Sequence, residues 1–249
     1  MQQLYEELVE PFLKEDAEFV IRKAQHSEDY TAMTCVPAFM GENFDSEKVK
    51  LMLIGRAVNG WSADWNGNAK EIAKQALSIE FSMKSIDKCP HQNVGTPDEY
   101  NFNKCAFMKL GKEVACNLGL KTETISDHLL WSNLYKVAPI ISGNPNGKMQ
   151  KIQRQTAIKI LKKEIEKYNP SHILFVTDID WLQATWKNNK TELSFANALN
   201  ITEDLTINNG KYVKAYGMYS NIPYVVCVRP EKRPIVEMTK DIIEAFKRV

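Results

Sequence analysis

The sequence is short of cysteine, of long apolar runs and of any excess of charge of one sign. Cys35, Cys89, Cys105, Cys116 and Cys227 are the only five cysteines in 249 residues, and none forms a C-x-x-C pair. Structural metal sites use paired spacings, so Cys89-Pro90-His91 does not read as a metal knuckle, and no metal is expected. The scattered thiols read instead as free, buried cysteines of a reducing compartment. No apolar run approaches the roughly 18 residues that a membrane helix requires. The start, Met1-Gln2-Gln3-Leu4-Tyr5-Glu6-Glu7, is acidic and lacks the signal-peptide pattern. A soluble, cytoplasmic protein with no membrane partner is therefore expected. Lys+Arg is 32 and Asp+Glu is 31, for a formal net charge of +1. That balance speaks against a protein held on nucleic acid by global charge and leaves room for a local basic groove.

Several catalytic signatures are also missing. There is no G-x-S-x-G elbow and no H-E-x-x-H, so serine-hydrolase and zincin readings lack support. No G-x-G-x-x-G follows the first strand, which removes a Rossmann dehydrogenase. No cofactor is expected. Of the four histidines, His91, in a polar loop, is the best candidate for a site; His172 reads as structural, His128 precedes a strand and His26 follows the first helix.

What is present is ordinary globular composition, 44% hydrophobic and 25% charged. Residues 2–25 have helical apolar spacing with a break near Pro11. Residues 49–55 form a short apolar run ending at Gly55, the pattern of a buried parallel strand. Helices are expected over 66–86 and 103–118, with a loop rich in Pro, Asn, Gly and Asp over 87–101. Residues 128–137 read as a second strand. The strongest helix spans 149–168, stopped by Asn169-Pro170. Residues 171–177 and 224–228 read as strands, and 213–219 as a further candidate. A short helix over 178–187 and a closing one over 235–246 complete the order.

Strands alternating with long helices imply βαβ units and a mostly parallel sheet. The expected fold is three-layer α/β/α around about four strands. Residues 1–47 form an N-terminal helical extension and residues 48–249 the α/β domain.

Ligands of open parallel sheets bind outside the carboxyl ends of the strands. Those ends carry polar, aromatic and basic residues. Gly55 lets a ligand approach the backbone. Trp61 and Tyr135 offer stacking faces. Asn133 presents one donor and one acceptor to a base edge. Arg56, Lys136, Arg229, Lys232 and Arg233 can neutralise phosphate as a local basic patch. Each also has a plainer use: glycines in turns, Asn133 as a loop cap, the aromatics as core, and the arginines in surface pairs with Glu231 or Glu237.

The order of segments resembles the uracil-DNA glycosylase superfamily. Leu53-Ile54-Gly55-Arg56-Ala57-Val58-Asn59-Gly60 stands where the family carries its first motif. Trp131 to Pro139, followed by Asn144-Pro145, stands where some branches have a strand and an N-P loop. Asn169 to Val176 takes the place of the next strand, and Val226 to Glu231 that of the last strand and its H-P-S turn. The likeness spans roughly residues 48–247. It implies a uracil-DNA-glycosylase-like fold and hydrolysis of the N-glycosidic bond of a damaged or modified base in DNA.

The departures are specific. Ala57 or Arg56 fills the slot of the family's water-orienting residue, and Arg229 that of its leaving-group histidine. Arginine can offset an anionic leaving base but cannot act as a general acid at neutral pH. Asn59 or Asp64 is left to place water. Two alternatives stay open. One is a nucleobase- or nucleic-acid-binding protein on the same fold without the chemistry; the other is an unrelated α/β enzyme acting on a small molecule.

Overall fold

The structure, a computed structural model, describes residues 1–14, 33–57, 68–78, 90–93, 96–99, 105–121, 125–139, 144–184 and 193–249. Its strands are β1 (Met33–Cys35), β2 (Phe39–Met40), β3 (Leu51–Ala57), β4 (Pro90–Asn93), β5 (Thr96–Glu99), β6 (Leu130–Tyr135), β7 (Val137–Pro139), β8 (His172–Val176), β9 (Val213–Tyr219) and β10 (Ile222–Cys227). The helices are α1 (Gln2–Val9), α2 (Ala69–Ser78), α3 (Ala106–Asn117), α4 (Gly147–Tyr168), α5 (Ile179–Gln183), α6 (Phe195–Ala198) and α7 (Ile235–Lys247).

The main sheet has six strands in the order β2-β6-β3-β8-β10-β9. β6, β3, β8 and β10 run parallel, which are the four strands expected. Two antiparallel edges enlarge that sheet: β2 pairs with β6, and β9 with β10. The β9–β10 turn is Ser220-Asn221 with φ of 49° and 66°. Positive φ at both turn residues is what a tight two-residue hairpin needs, and it makes 213–219 a strand. β2 is too short for periodicity to reveal.

Alternation along the strands sorts the core into two layers. Met52, Ile54, Leu130, Leu134, Ile173, Phe175, Tyr224 and Val226 face one side, under α1, α2, α4, α5 and α6. Leu51, Leu53, Leu174, Val176, Val225 and Cys227 face the other, under α3 and α7. Helices on both faces make a three-layer α/β/α arrangement. Among the described residues, no helix is long and apolar enough to cross a membrane.

One segment differs from expectation. Within 87–101, read as a loop, β4 and β5 pair antiparallel from Pro90↔Glu99 to Asn93↔Thr96. Four-residue strands interrupted by turn formers are indistinguishable by composition from an irregular loop. At the N-terminus the break falls near Pro11 as expected, where α1 gives way to a 3-10 turn, Glu10–Leu13. Proline lacks the N–H that an α-helix would need there. Tyr5, Leu8, Val9 and Phe12 are buried within the same core as the sheet. The segment before residue 48 thus supplies core side chains and an edge strand as well as a helix. Residues 15–25 of the expected first helix lie outside the described residues.

Candidate functional site

The parallel strands end at one level. Gly55 pairs with Asn133 and Ala57 with Tyr135 across β3 and β6. Ile54 pairs with Phe175, and Val176 with Cys227. Continuing the register brings Arg56 beside Thr177, and Asp178 beside Arg229. The chain steps outward from β3 to β6, then crosses back to β8 and on to β10. The reversal lies between β3 and β8, the position where open α/β sheets bind ligands. Arg56 bridges it: its Nε donates to the Thr177 carbonyl at 2.7 Å.

A cluster of charges surrounds that bridge. The Arg56 guanidinium carbon lies 4.9 Å from the centre of the Trp181 ring, a cation–π distance. Burial, and next the neighbouring Arg229, hold Arg56 below the usual arginine value, while Asp178, Glu231 and Asp180 pull the other way. It stays charged at neutral pH, because guanidinium does not give up its proton there. Arg229 is half-buried and bonds to Glu231. Arg233 reaches back to the Arg229 carbonyl at 2.7 Å. Arg233 and Lys232 are exposed on the turn beyond β10.

Asp178 is a strained residue of this edge. Its φ is 68° and its ψ is 156°, a region otherwise almost confined to glycine. Its N–H donates to the Cys227 carbonyl at 3.0 Å. Its Oδ1 accepts the Ile179 N–H at 2.9 Å, capping α5. Such a conformation costs about 1–3 kcal/mol and persists only where the surroundings over-determine it. The cap uses one carboxylate oxygen, and the Asp178 charge acts on Arg56.

On the α3 face of the same edge, Asn133 lies directly on Gly55. A Cβ on Gly55 would sit 2.4 Å from Asn133 Oδ1 and 3.4 Å from the Phe107 ring. Gly55 is therefore required by close approach, here of a neighbouring side chain. Asn133 itself is only 4% exposed.

The expected residues fall into three groups. Gly55, Arg56, Asn133 and Arg229 lie together along the carboxyl edge, with Lys232 and Arg233 at its rim. Asn59, Trp61 and Asp64 lie outside the described residues, and so does the His91 side chain. Tyr135 and Lys136 take roles other than those expected. Tyr135 was expected as a stacking face but is wholly buried. Its ring meets Trp181 and Phe195 edge to face at 6.0 and 5.3 Å, and its hydroxyl accepts from Arg154 Nε at 3.3 Å. Lys136 was expected in the basic patch, and it too is wholly buried.

The Lys136 Nζ donates to Glu164 Oε2 at 2.7 Å and to Ser132 Oγ at 2.6 Å. Ser132 donates to the same Glu164 oxygen at 2.7 Å, and Glu164 Oε1 accepts the Ala38 N–H at 3.2 Å. Burial pushes the Lys136 ammonium down, against the pull of Glu164. The network fastens β6 to α4 and to the segment just before β2. It turns Lys136 away from solvent at the bend between β6 and β7, where the side chain is drawn inward onto Glu164 and Ser132.

Two participants were given no role by the sequence, Asp178 and Trp181, whereas Glu231 takes the surface pairing expected for it with Arg229. The sequence signal for Asp178 was an acidic residue between a strand and a helix, the usual look of an N-cap. Only its backbone conformation sets it apart. Among the described residues, no group of three or more His, Cys, Asp or Glu side chains is placed to hold a metal. The arginines are interleaved with Asp178, Asp180 and Glu231, so the edge is a mixed-charge surface rather than a uniformly basic one.

No protein-family model matches the chain, and no curated protein matches it.

Proposed function

We propose that the carboxyl edge of the sheet recognises a nucleobase, and that the protein is a uracil-DNA-glycosylase-like hydrolase of the N-glycosidic bond to a damaged or modified base. The observation that carries this reading is the meeting of Arg56, Arg229 and Asp178 at the switch between β3 and β8, with Asn133 on the adjacent strand. An amide at the edge matches the donor and acceptor of a base. A departing base leaves as an anion, and two fixed guanidinium groups offset that charge. The sugar develops positive charge in the same step, which a carboxylate beside it stabilises while orienting water. Asp178 supplies the carboxylate that the first motif lacks, and its strain is the kind that structures retain at working sites.

The test is release of free base from uracil- or hypoxanthine-containing oligonucleotides by the purified chain. Turnover that falls about 100-fold or more in D178N supports the role given to Asp178. Absence of release at enzyme excess overturns the hydrolytic reading.

One observation favours a second reading, binding without turnover. Arg229 is already engaged by Glu231, which lowers the positive charge available to a leaving group. Salt-sensitive DNA binding with no base release supports that alternative, because phosphate contacts release counterions.

A further inference from the structure

Arg154 is a buried cation with no counter-charge among the described residues. It sits on α4, is 8% exposed, and its Nε donates to the Tyr135 hydroxyl at 3.3 Å. Among the described residues no carboxylate pairs with it. Among the described residues, the other buried cation, Lys136, and the half-buried Arg56 both have acidic neighbours. Lys136 has Glu164, and Arg56 has Asp178, Glu231 and Asp180 nearby. A buried charge with no partner is strongly unfavourable. Phenol oxygen is a neutral acceptor and does not offset it.

Its position is as informative as its isolation. Tyr135 ends β6 at the level of Ala57, and its ring adjoins Trp181, whose own ring lies against Arg56. Arg154 therefore stands at the same carboxyl edge, one aromatic pair away from the Arg56 bridge. The free side of a guanidinium presents parallel N–H donors that fit two oxygens of a phosphate.

We infer that Arg154 anchors a phosphate group of the ligand, with the Tyr135 hydroxyl fixing the guanidinium plane. The site thereby takes a nucleotide in preference to a free base or nucleoside. This rests on the nucleobase reading for the ligand's identity, although the phosphate subsite is testable without it.

The first probe is inorganic phosphate, read by thermal shift on the full chain. The wild type is expected to gain stability with phosphate, and R154M is expected to lose that gain. K163M, on an exposed part of the same helix, is expected to respond as the wild type does. Without phosphate, R154M should melt no lower than the wild type, since an unpaired buried charge has been removed. An Arg154 held only for packing would make it melt lower.

The second probe compares deoxyuridine, its 5′-monophosphate and a short uracil-containing single strand by calorimetry. At least tenfold tighter binding of the monophosphate than the nucleoside, abolished in R154M, supports a monoester ligand. The same gain seen only with the single strand assigns Arg154 to a chain phosphodiester. R154K keeps charge but loses the planar fork, and at least a fivefold loss of affinity is expected. A wild type indifferent to phosphate, or an R154M that responds like the wild type, overturns the inference. Phosphate protection lost in R154M, with no binding of any nucleoside or nucleotide, leaves the subsite standing and removes the nucleobase reading.

Discussion

Replacing Lys136 by methionine tests the buried network that holds the end of β6. Lys136 and Glu164 have side chains only 1% exposed. Removing the ammonium alone strands the Glu164 carboxylate, which keeps only the Ser132 hydroxyl and the Ala38 N–H as donors. Breaking one side of a buried pair costs about 3–5 kcal/mol. For a chain of this length each kcal/mol moves Tm by about 2–4 °C, so K136M is expected to melt roughly 6–20 °C lower.

The decisive comparison is the double variant K136M/E164Q. Glutamine keeps an acceptor for Ala38 and a partner for Ser132 while carrying no charge. The double variant is therefore expected to be more stable than K136M by about 2 kcal/mol or more, because desolvating an unpaired charge dominates the single-variant loss. Urea unfolding of the wild type, both single variants and the double variant supplies the full cycle. A K136M loss below about 1 kcal/mol, or a double variant no better than K136M, refutes the network as described.

Four further outcomes follow from local geometry. Alanine at Gly55 forces a Cβ to 2.4 Å from Asn133 Oδ1, so G55A should lose about 1–3 kcal/mol and G55A/N133A should regain most of it by the same unfolding assay. D178G should be more stable than D178A by about 1–3 kcal/mol, since both lose the cap but only glycine relaxes the positive φ; equal stabilities would show the strain to be absent. Burial holds the His172 imidazole below its ordinary 6.5, so the unfolded chain takes up the proton first and stability drops as pH falls below 6.5. H172F should show a smaller Tm loss between pH 7.5 and 5.5, and an identical loss would count against the assignment. Burial pushes the Cys35 thiol up to about 12 and raises Cys227 further. Alkylation at pH 8 should therefore label exposed Cys116 rapidly and leave Cys35 and Cys227 unreacted until the chain unfolds, as mass spectrometry of digested protein will show.

The parts of the fold legible in the sequence are those with a period. β3, β8 and β10 are apolar runs closed by turn formers, and α4 carries one apolar face between Asn146 and Asn169. The Asn146 side chain accepts from the Lys148 and Met149 N–H groups, and Asn169 ends the helix at φ 41°. Each boundary is thus a local event involving a few neighbouring residues. β2 and the β4–β5 hairpin were not legible, because strands of two and four residues have too few positions to show alternation.

The candidate site was legible as a location rather than as a set of partners. The strand ends pointed to Gly55, Arg56, Asn133 and Arg229, which the parallel register brings to one edge. Lys136 and Tyr135 were misplaced because both sit at the bend from β6 into β7, where side-chain direction depends on the backbone turn. Their partners, Glu164 and Arg154, lie 28 and 19 residues away on α4. Asp178 looked like any helix cap, since no residue pattern encodes a positive φ at aspartate.

Titration of the isotopically labelled chain with a free nucleobase, followed through backbone amide resonances, tests the central claim most directly. Uracil or hypoxanthine should shift Gly55, Ala57, Asn133, Asp178 and Arg229 together, and the N133A variant should lose the response. Shifts scattered away from the carboxyl edge, or none at millimolar base, would contradict recognition of a nucleobase at this site.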